Sequence, residues 1–307
     1  MKKFIIYALM CLYPIFSAAQ DTRPYERHWK RNVEKVRIMS YNILDGFNWG
    51  NDLERKERLA KWVKEQNPEI VALQELCGFH EKELKQLASL WGHQYTAIVE
   101  GDAYPVGITS DKPIIVKKKI AGKIGHGLLH VQTYGIDILV THLNPHDTDK
   151  RREESRFIAG YIRDNKLTDC ILMGDMNSHS PMDADNLESY ATDLTTKYGG
   201  RDSKNLIDGE IDYSVISNYL SVPMIDVCRK YINARDRFSY PTPVLMNQSR
   251  HHDIRRRSSE RIDYIFMSPK VAEKVVDAFI YNEGETEYLS DHFPVAADII
   301  VEHEEEK

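Results

Sequence analysis

Cys170-Ile171-Leu172-Met173-Gly174-Asp175-Met176-Asn177 is the stretch from which the rest of the chain is best read. An apolar run this short reads as a buried strand, and it stops at a glycine and a carboxylate. Gly174 allows a close backbone approach. A carboxylate and an amide two residues apart in a turn can face the same water and the same phosphate oxygen. Asp175 is therefore a candidate general base and Asn177 a candidate orienting group for phosphate or nucleophile. A plain Asp-x-Asn turn is the competing interpretation.

The same pattern recurs outward from there. Residues 36–41 alternate with the period of a strand and end at Asn42. Residues 70–73 form a short apolar run ending at Gln74-Glu75, and residues 136–141 end at His142. Asp263 lies inside the apolar strand expected at 261–267, and Asp291-His292 directly precede the last strand, 295–301. Polar residues at or near strand ends point to loops held by a rigid scaffold, where catalytic groups collect. Residues 54–66, 80–90 and 149–164 have helical spacing, whereas 95–99, 106–109, 114–118 and 128–133 read as further strands. Residues 180–250 are poorly patterned and read as helix plus long surface loops. With no linker and no clear repeat, one domain spanning 36–301 is expected, flanked by an extension at 20–35 and an acidic tail at 302–307.

The first nineteen residues are a separate object. Lys2 and Lys3 precede an apolar run at 4–16 that only Pro14 interrupts, and Ser17-Ala18-Ala19 supplies small residues for cleavage before Gln20. This is the pattern of a secretory signal, against an uncleaved anchor, and it implies export to a periplasm or the extracellular space. Met10 before Cys11 argues against a lipid anchor. The mature chain keeps Cys77, Cys170 and Cys228, which is too sparse for a disulfide scaffold; at most one bridge can form, and buried structural thiols are expected. Losing Lys2 and Lys3 takes the formal charge from −6 to −8. An acidic protein gains no general attraction to a polyanion, which weighs against a tight nucleic-acid binder but not against a nuclease with a local basic patch.

Phosphoester hydrolysis needs a divalent cation to neutralise phosphate, a base to deprotonate water, and a group that stabilises the departing oxygen. Mg²⁺ takes oxygen ligands and keeps several waters, so one or two carboxylates suffice; Mn²⁺ or Ca²⁺ are alternatives. Glu75, a carboxylate directly after a buried strand, is the best candidate ligand, and Asn42 offers an amide to metal or phosphate. A surface charge and a turn asparagine are the competing roles. His142 and His292 are each candidates to protonate a leaving group or stabilise a phosphorane. Asp263 is costly to bury unpaired, and His292 is its natural partner.

Ser-Tyr-Asn at 40–42, Leu-Gln-Glu at 73–75, Thr-His-Leu at 141–143, Gly-Asp-Met-Asn at 174–177, Arg-Ile-Asp-Tyr-Ile at 261–265 and Ser-Asp-His-Phe-Pro at 290–294 together resemble the endonuclease/exonuclease/phosphatase superfamily. The motifs occur in the family's order over 36–301. The resemblance implies an α/β fold, a four-layered sandwich of two mixed β-sheets packed face to face with helices outside. It implies metal and phosphate ligation by Asn42 and Glu75, water activation by Asp175, phosphate contact by Asn177, an Asp263–His292 pair, and Asp291 near the metal. His142 resembles the deoxyribonuclease I, sphingomyelinase and inositol-phosphatase side of the superfamily rather than the abasic-site repair side. Residues 107–113 resemble the family's Gly-x-x-x-Leu-Ser-Arg-x-Pro segment, with departures at Thr109 and Asp111.

Substrate is less legible. Residues 250–257 are the strongly basic run, from which Arg255 and Arg256 are candidate phosphate guides, against a solvated loop. No aromatic platform interleaved with basic residues suggests single-stranded nucleic acid, and no hydrophobic hairpin suggests a membrane substrate. The expected partner is a phosphoester, small or lipid-derived, with secreted nuclease action on DNA or RNA as the alternative and a catalytically dead binding module as the third. No stable protein partner is implied, and the chain reads as a monomer.

Overall fold

Side chains alternate between the two faces of a strand, and in this chain both faces of the central strands are apolar, which calls for cover on each side. The computed structural model describes residues 32–187, 205–246 and 259–303. Glu34–Val301 forms one body.

The strands are β1 (Asn32–Asn42), β2 (Ile70–Gln74), β3 (Tyr95–Ile98), β4 (Gly107–Ser110), β5 (Ile115–Ile120), β6 (Leu128–Thr133), β7 (Ile136–His142), β8 (Cys170–Asp175), β9 (Leu206–Ile207), β10 (Glu210–Ile211), β11 (Ile225–Asp226), β12 (Asp263–Met267), β13 (Val275–Ile280) and β14 (Val295–His303). Two six-stranded sheets result, ordered β13-β14-β1-β2-β4-β3 and β11-β12-β8-β7-β6-β5. Both are mixed: β1–β2 and β7–β8 run parallel, and β2–β4 and β8–β12 run antiparallel.

Parity along the strands makes the layers. Val36 and Ile38 of β1 and Ile70 and Ala72 of β2 share one core with Ile138 and Val140 of β7, Ile171 and Met173 of β8, and Ile265 of β12. That core is the interface between the sheets. The opposite face of the first sheet (Met39, Tyr41, Val71, Leu73) packs on helices α1 (Leu53–Gln66) and α2 (Glu81–Ser89) through Leu59, Val63, Leu84 and Leu87. The opposite face of the second (Leu139, Leu172, Tyr264, Phe266) packs on α3 (Thr148–Asp164) and α4 (Ser214–Ser221) through Ile158, Ile162, Val215 and Ile216. The result is the four-layered α/β sandwich.

Four details differ from expectation. β1 begins at Asn32, ahead of the strand expected at 36–41 and inside the expected 20–35 extension. Asp263 is the first residue of β12, not interior to it, and Arg261 just before it is drawn into a buried ion cluster with Asp183 and Asp226. Strand β13 was not anticipated. Within 205–246, the unpatterned stretch supplies the short strands β9, β10 and β11 as well as α4. Cys77, Cys170 and Cys228 are all free and buried, and burial pushes the Cys77 and Cys170 thiols up to about 12, so these are inert packing groups. Residues 1–31, where a secretory signal is expected, and the 247–258 segment holding Arg255 and Arg256 lie outside the described residues.

Candidate active site

The parity that fills the inter-sheet core also fills its mouth. Asn42 continues the Val36–Ile38 face, Asp175 the Ile171–Met173 face, His142 the Ile138–Val140 face, and Asp263 starts the Ile265 face. In the second sheet His142 pairs with Asp175 across the parallel β7–β8 ladder, and Asp175 pairs with Asp263 across the antiparallel β8–β12 ladder. Three functional side chains therefore stand in one row, one strand apart. The antiparallel direction of β12 is why a strand start meets two strand ends. Gly174 makes the row possible: its φ is +143°, and a Cβ there would lie 1.8 Å from the Thr141 carbonyl oxygen.

Asp175 is the hub. Its Oδ2 accepts from Asn42 Nδ2 at 3.1 Å and lies 3.3 Å from His142 Nε2 and 3.7 Å from His292 Nε2, while Oδ1 accepts from the Asn177 N–H at 2.9 Å. Burial is the main force pushing its carboxyl up to about 8, with the Asp263 charge adding to it and His292 opposing. A carboxyl so placed can hold a proton near neutral pH, as a base must. His142 is buried and held well below the usual imidazole range by desolvation first and then by His126 and His292. Its buried Nδ1 has no partner among the described residues.

His292 is the opposite case. Its Nδ1 donates to Asp263 Oδ2 at 2.8 Å. Burial opposes its charge, but Asp263, Asp175 and Asp291 outweigh burial and hold it well above the ordinary value. The site thus contains two histidines shifted in opposite directions on either side of one carboxyl group.

A strap at 239–242 holds this pair, and sequence reasoning missed it. The buried Ser239 Oγ accepts from the N–H groups of Ile262 and Asp263, both at 3.1 Å, and its carbonyl accepts from Phe293 N at 2.7 Å. Thr242 donates through N to the Asp291 carbonyl and through Oγ1 to that of Ser290. The Tyr240 ring lies 4.9 Å from His292. Both ends of the Asp263–His292 bond are anchored to one short segment.

The cation side lies across Asn42. Its Nδ2 bridges Glu75 Oε1 and Asp175 Oδ2, each at 3.1 Å. Glu75 Oε2 accepts from the Asp45 N–H at 2.8 Å. Burial first, then the Glu75 charge, raises the Asp45 carboxyl; burial also raises that of Asp291 to about 6, with His292 opposing and the Glu75 charge adding to it. Such an oxygen-rich, carboxylate-bearing set fits a hard divalent cation such as Mg²⁺. Asp175, Asp263 and His292 also bring ligand-type atoms within 4.8 Å of one another. His292, however, is charged and spends Nδ1 on Asp263, which suits a proton relay better than a cation cage.

Asp45 belongs to an unusual turn. Leu44, Asp45, Gly46, Phe47, Asn48 and Trp49 all have φ between +49° and +62°, a left-handed helical turn. Arg55 clasps it, donating to the carbonyls of Ile43 and Leu44 and stacking over Phe47, and it also reaches the Leu289 carbonyl beside the Asp291 loop. Gly46 packs so tightly that an added Cβ would lie 2.2 Å from the Cys77 carbonyl oxygen. The structure therefore gathers Asn42, Glu75, His142, Asp175, Asn177, Asp263, Asp291 and His292, and adds Asp45 and the strap. Asn177 Nδ2 donates to the Leu143 carbonyl at 3.1 Å, leaving its second amide hydrogen for a ligand.

A family model described as the endonuclease/exonuclease/phosphatase family matches residues 39–292. Among solved structures, an AP endonuclease from Archaeoglobus fulgidus is 20% identical with a TM-score of 0.63, over 86% of this chain and 99% of that one. A 3′ phosphatase, NExo, from Neisseria bound to product DNA hairpin (17%, TM-score 0.62) and a 3′-5′ exonuclease from Neisseria meningitidis (17%, TM-score 0.63) cover the same shares. At these identities the likeness shows the fold, not the branch or the substrate. No curated protein sequence matches.

Proposed function

Because the chain belongs to the endonuclease/exonuclease/phosphatase family, we propose that it is an exported, divalent-metal-dependent phosphoester hydrolase acting by in-line attack of water. The observation that carries this is the convergence on Asp175 Oδ2 of Asn42, His142 and His292, with His292 paired to Asp263. Asp175 takes the proton of the attacking water as its oxygen bonds to phosphorus and the bond to the leaving oxygen breaks. Neutral His142 holds the Asp175 carboxylate. Charged His292, backed by Asp263, faces the negative charge of the transition state and supplies the proton the leaving oxygen takes. Asn177 orients the phosphate, with Arg255 and Arg256 as guides. Glu75, Asn42, Asp291 and Asp45 would hold Mg²⁺, which neutralises phosphate oxygens when bound.

Bis-p-nitrophenyl phosphate should be hydrolysed with Mg²⁺ and spared with EDTA; no turnover with Mg²⁺, Mn²⁺ or Ca²⁺ refutes the reading. Export rests on the leader, and N-terminal sequencing of secreted protein should begin at Gln20. A nuclease would use the same chemistry on a polymer, and digestion of plasmid DNA at low salt separates it from a small-substrate enzyme. A binding module needs no Asp263–His292 pair, which weighs against that alternative.

A further inference from the structure

Four rings from four separate segments stand in a row that begins in the catalytic cluster. His142 lies 4.7 Å from His126, His126 5.0 Å from Tyr104, and Tyr104 6.2 Å from Trp49, between ring centroids. The inner members are fixed. Asp102 Oδ1 accepts from the Tyr104 N–H at 2.8 Å and sits 2.7 Å from His126 Nδ1, and the His126 N–H donates to the His142 carbonyl at 2.9 Å. Tyr104 and His126 are half-buried, whereas the outermost ring, Trp49, is 51% exposed.

A left-handed helical conformation is disfavoured for L-residues, yet the turn at Leu44–Trp49 holds it in succession, ending with Trp49 against Tyr104. Strained backbone that delivers a half-exposed tryptophan to the edge of a catalytic cluster points to a ligand.

We propose that the Trp49–Tyr104–His126 row is a stacking subsite for a nucleobase attached to the phosphate being cleaved. The inference rests on the hydrolase reading above and narrows its substrate to nucleotidyl phosphoesters. Ring faces accept any planar base. An acyl chain is a poor occupant, because Asp45, Glu75 and Asp102 flank the row and the first two raise the Tyr104 phenol, after burial itself. A quaternary ammonium group is disfavoured because it would sit beside the divalent cation that Glu75 and Asp45 would hold under that reading. The rings are separated by tens of residues in the chain and tilt against one another by 51–72°, so a row of separately offered ring faces, invisible in sequence, is assembled by the fold.

The test compares two single-stranded oligonucleotides with the same backbone, one of thymidines and one of abasic tetrahydrofuran units, using full-length mature protein with Mg²⁺. Wild type should favour the thymidine strand by about tenfold or more in kcat/KM, within the range for one stacked base. Trp49→Ala should lower that preference about tenfold, and Trp49→Phe should retain most of it. Equal rates on both strands in wild type, an equal loss on both in Trp49→Ala, or faster cleavage of p-nitrophenyl phosphocholine than of p-nitrophenyl thymidine 5′-phosphate would each overturn the subsite. Absence of hydrolysis of these substrates and of bis-p-nitrophenyl phosphate would instead sink the hydrolase reading. The subsite would then be judged by tryptophan emission: quenching by thymidine 5′-monophosphate but not by deoxyribose 5-phosphate, lost in Trp49→Phe, sustains it, and an equal response to both overturns it.

Discussion

Ser239→Ala removes one oxygen, and the structure states what that oxygen holds. Ser239 Oγ is the acceptor for the Ile262 and Asp263 N–H groups, both at 3.1 Å in a fully buried position. The backbone bonds of Ser239 to Glu260 and Phe293 survive the change, so the loss is confined to two buried donors. Each unsatisfied buried donor costs about 1–3 kcal/mol. Allowing for partial relaxation, the expected destabilisation is about 2–4 kcal/mol, or a Tm drop of about 5–15 °C for a domain of this size. Urea denaturation should show a lower midpoint with an unchanged slope. Turnover of bis-p-nitrophenyl phosphate, at a temperature where the variant is folded, should fall at least about tenfold, because Asp263 loses the anchor that aims it at His292. A destabilisation under about 0.5 kcal/mol with wild-type turnover would refute the strap as the support of the pair.

Asp175→Ala and His292→Ala should each lower kcat by about 10²–10⁴-fold, measured with the same ester at a temperature where each variant is folded; near-wild-type rates would remove their assigned roles. Glu75→Gln should raise the Mg²⁺ concentration needed for half-maximal activity, read from a metal titration after EDTA treatment, and an unchanged curve would move the cation elsewhere. At Asp298 burial opposes ionisation, but hydrogen bonds from Arg37 and Lys35 outweigh it and hold the carboxyl below its usual range. The folded pKa is depressed, so its stabilisation is present above the unfolded value and is lost as pH falls through the folded one. Asp298→Asn should therefore cost about 1–3 kcal/mol at pH 7, with the difference fading as urea midpoints are followed into acid. A pH-independent difference would show that charge is not the cause.

The site was legible where chemistry follows an uninterrupted apolar run. Asp175 and His142 stand out because β8 and β7 are buried on both faces, so the first polar residue marks the sheet edge. Asp263 was legible as a residue but not in direction, since a run of apolar residues carries no sign of which way a strand enters its sheet. Asp45 was missed because its relation to Glu75 depends on a left-handed turn that composition does not announce. Ser239 was missed because a hydroxyl accepting two backbone hydrogens is written like any loop serine. Strand β13, with Asp277 interrupting Val275–Ile280, lacks the clean run that identified its neighbours.

The left-handed turn has a consequence for how this protein tolerates change. Glycine normally loosens a chain, but at Leu44, Asp45, Asn48 or Trp49 it would relieve a conformation that L-residues resist. Random mutagenesis scored by thermal survival should therefore enrich glycine at these positions, while a screen scored by catalysis should reject it at Asp45 and Trp49. The two selections would pull the same few codons in opposite directions, and their divergence would map where this enzyme has given up robustness for turnover.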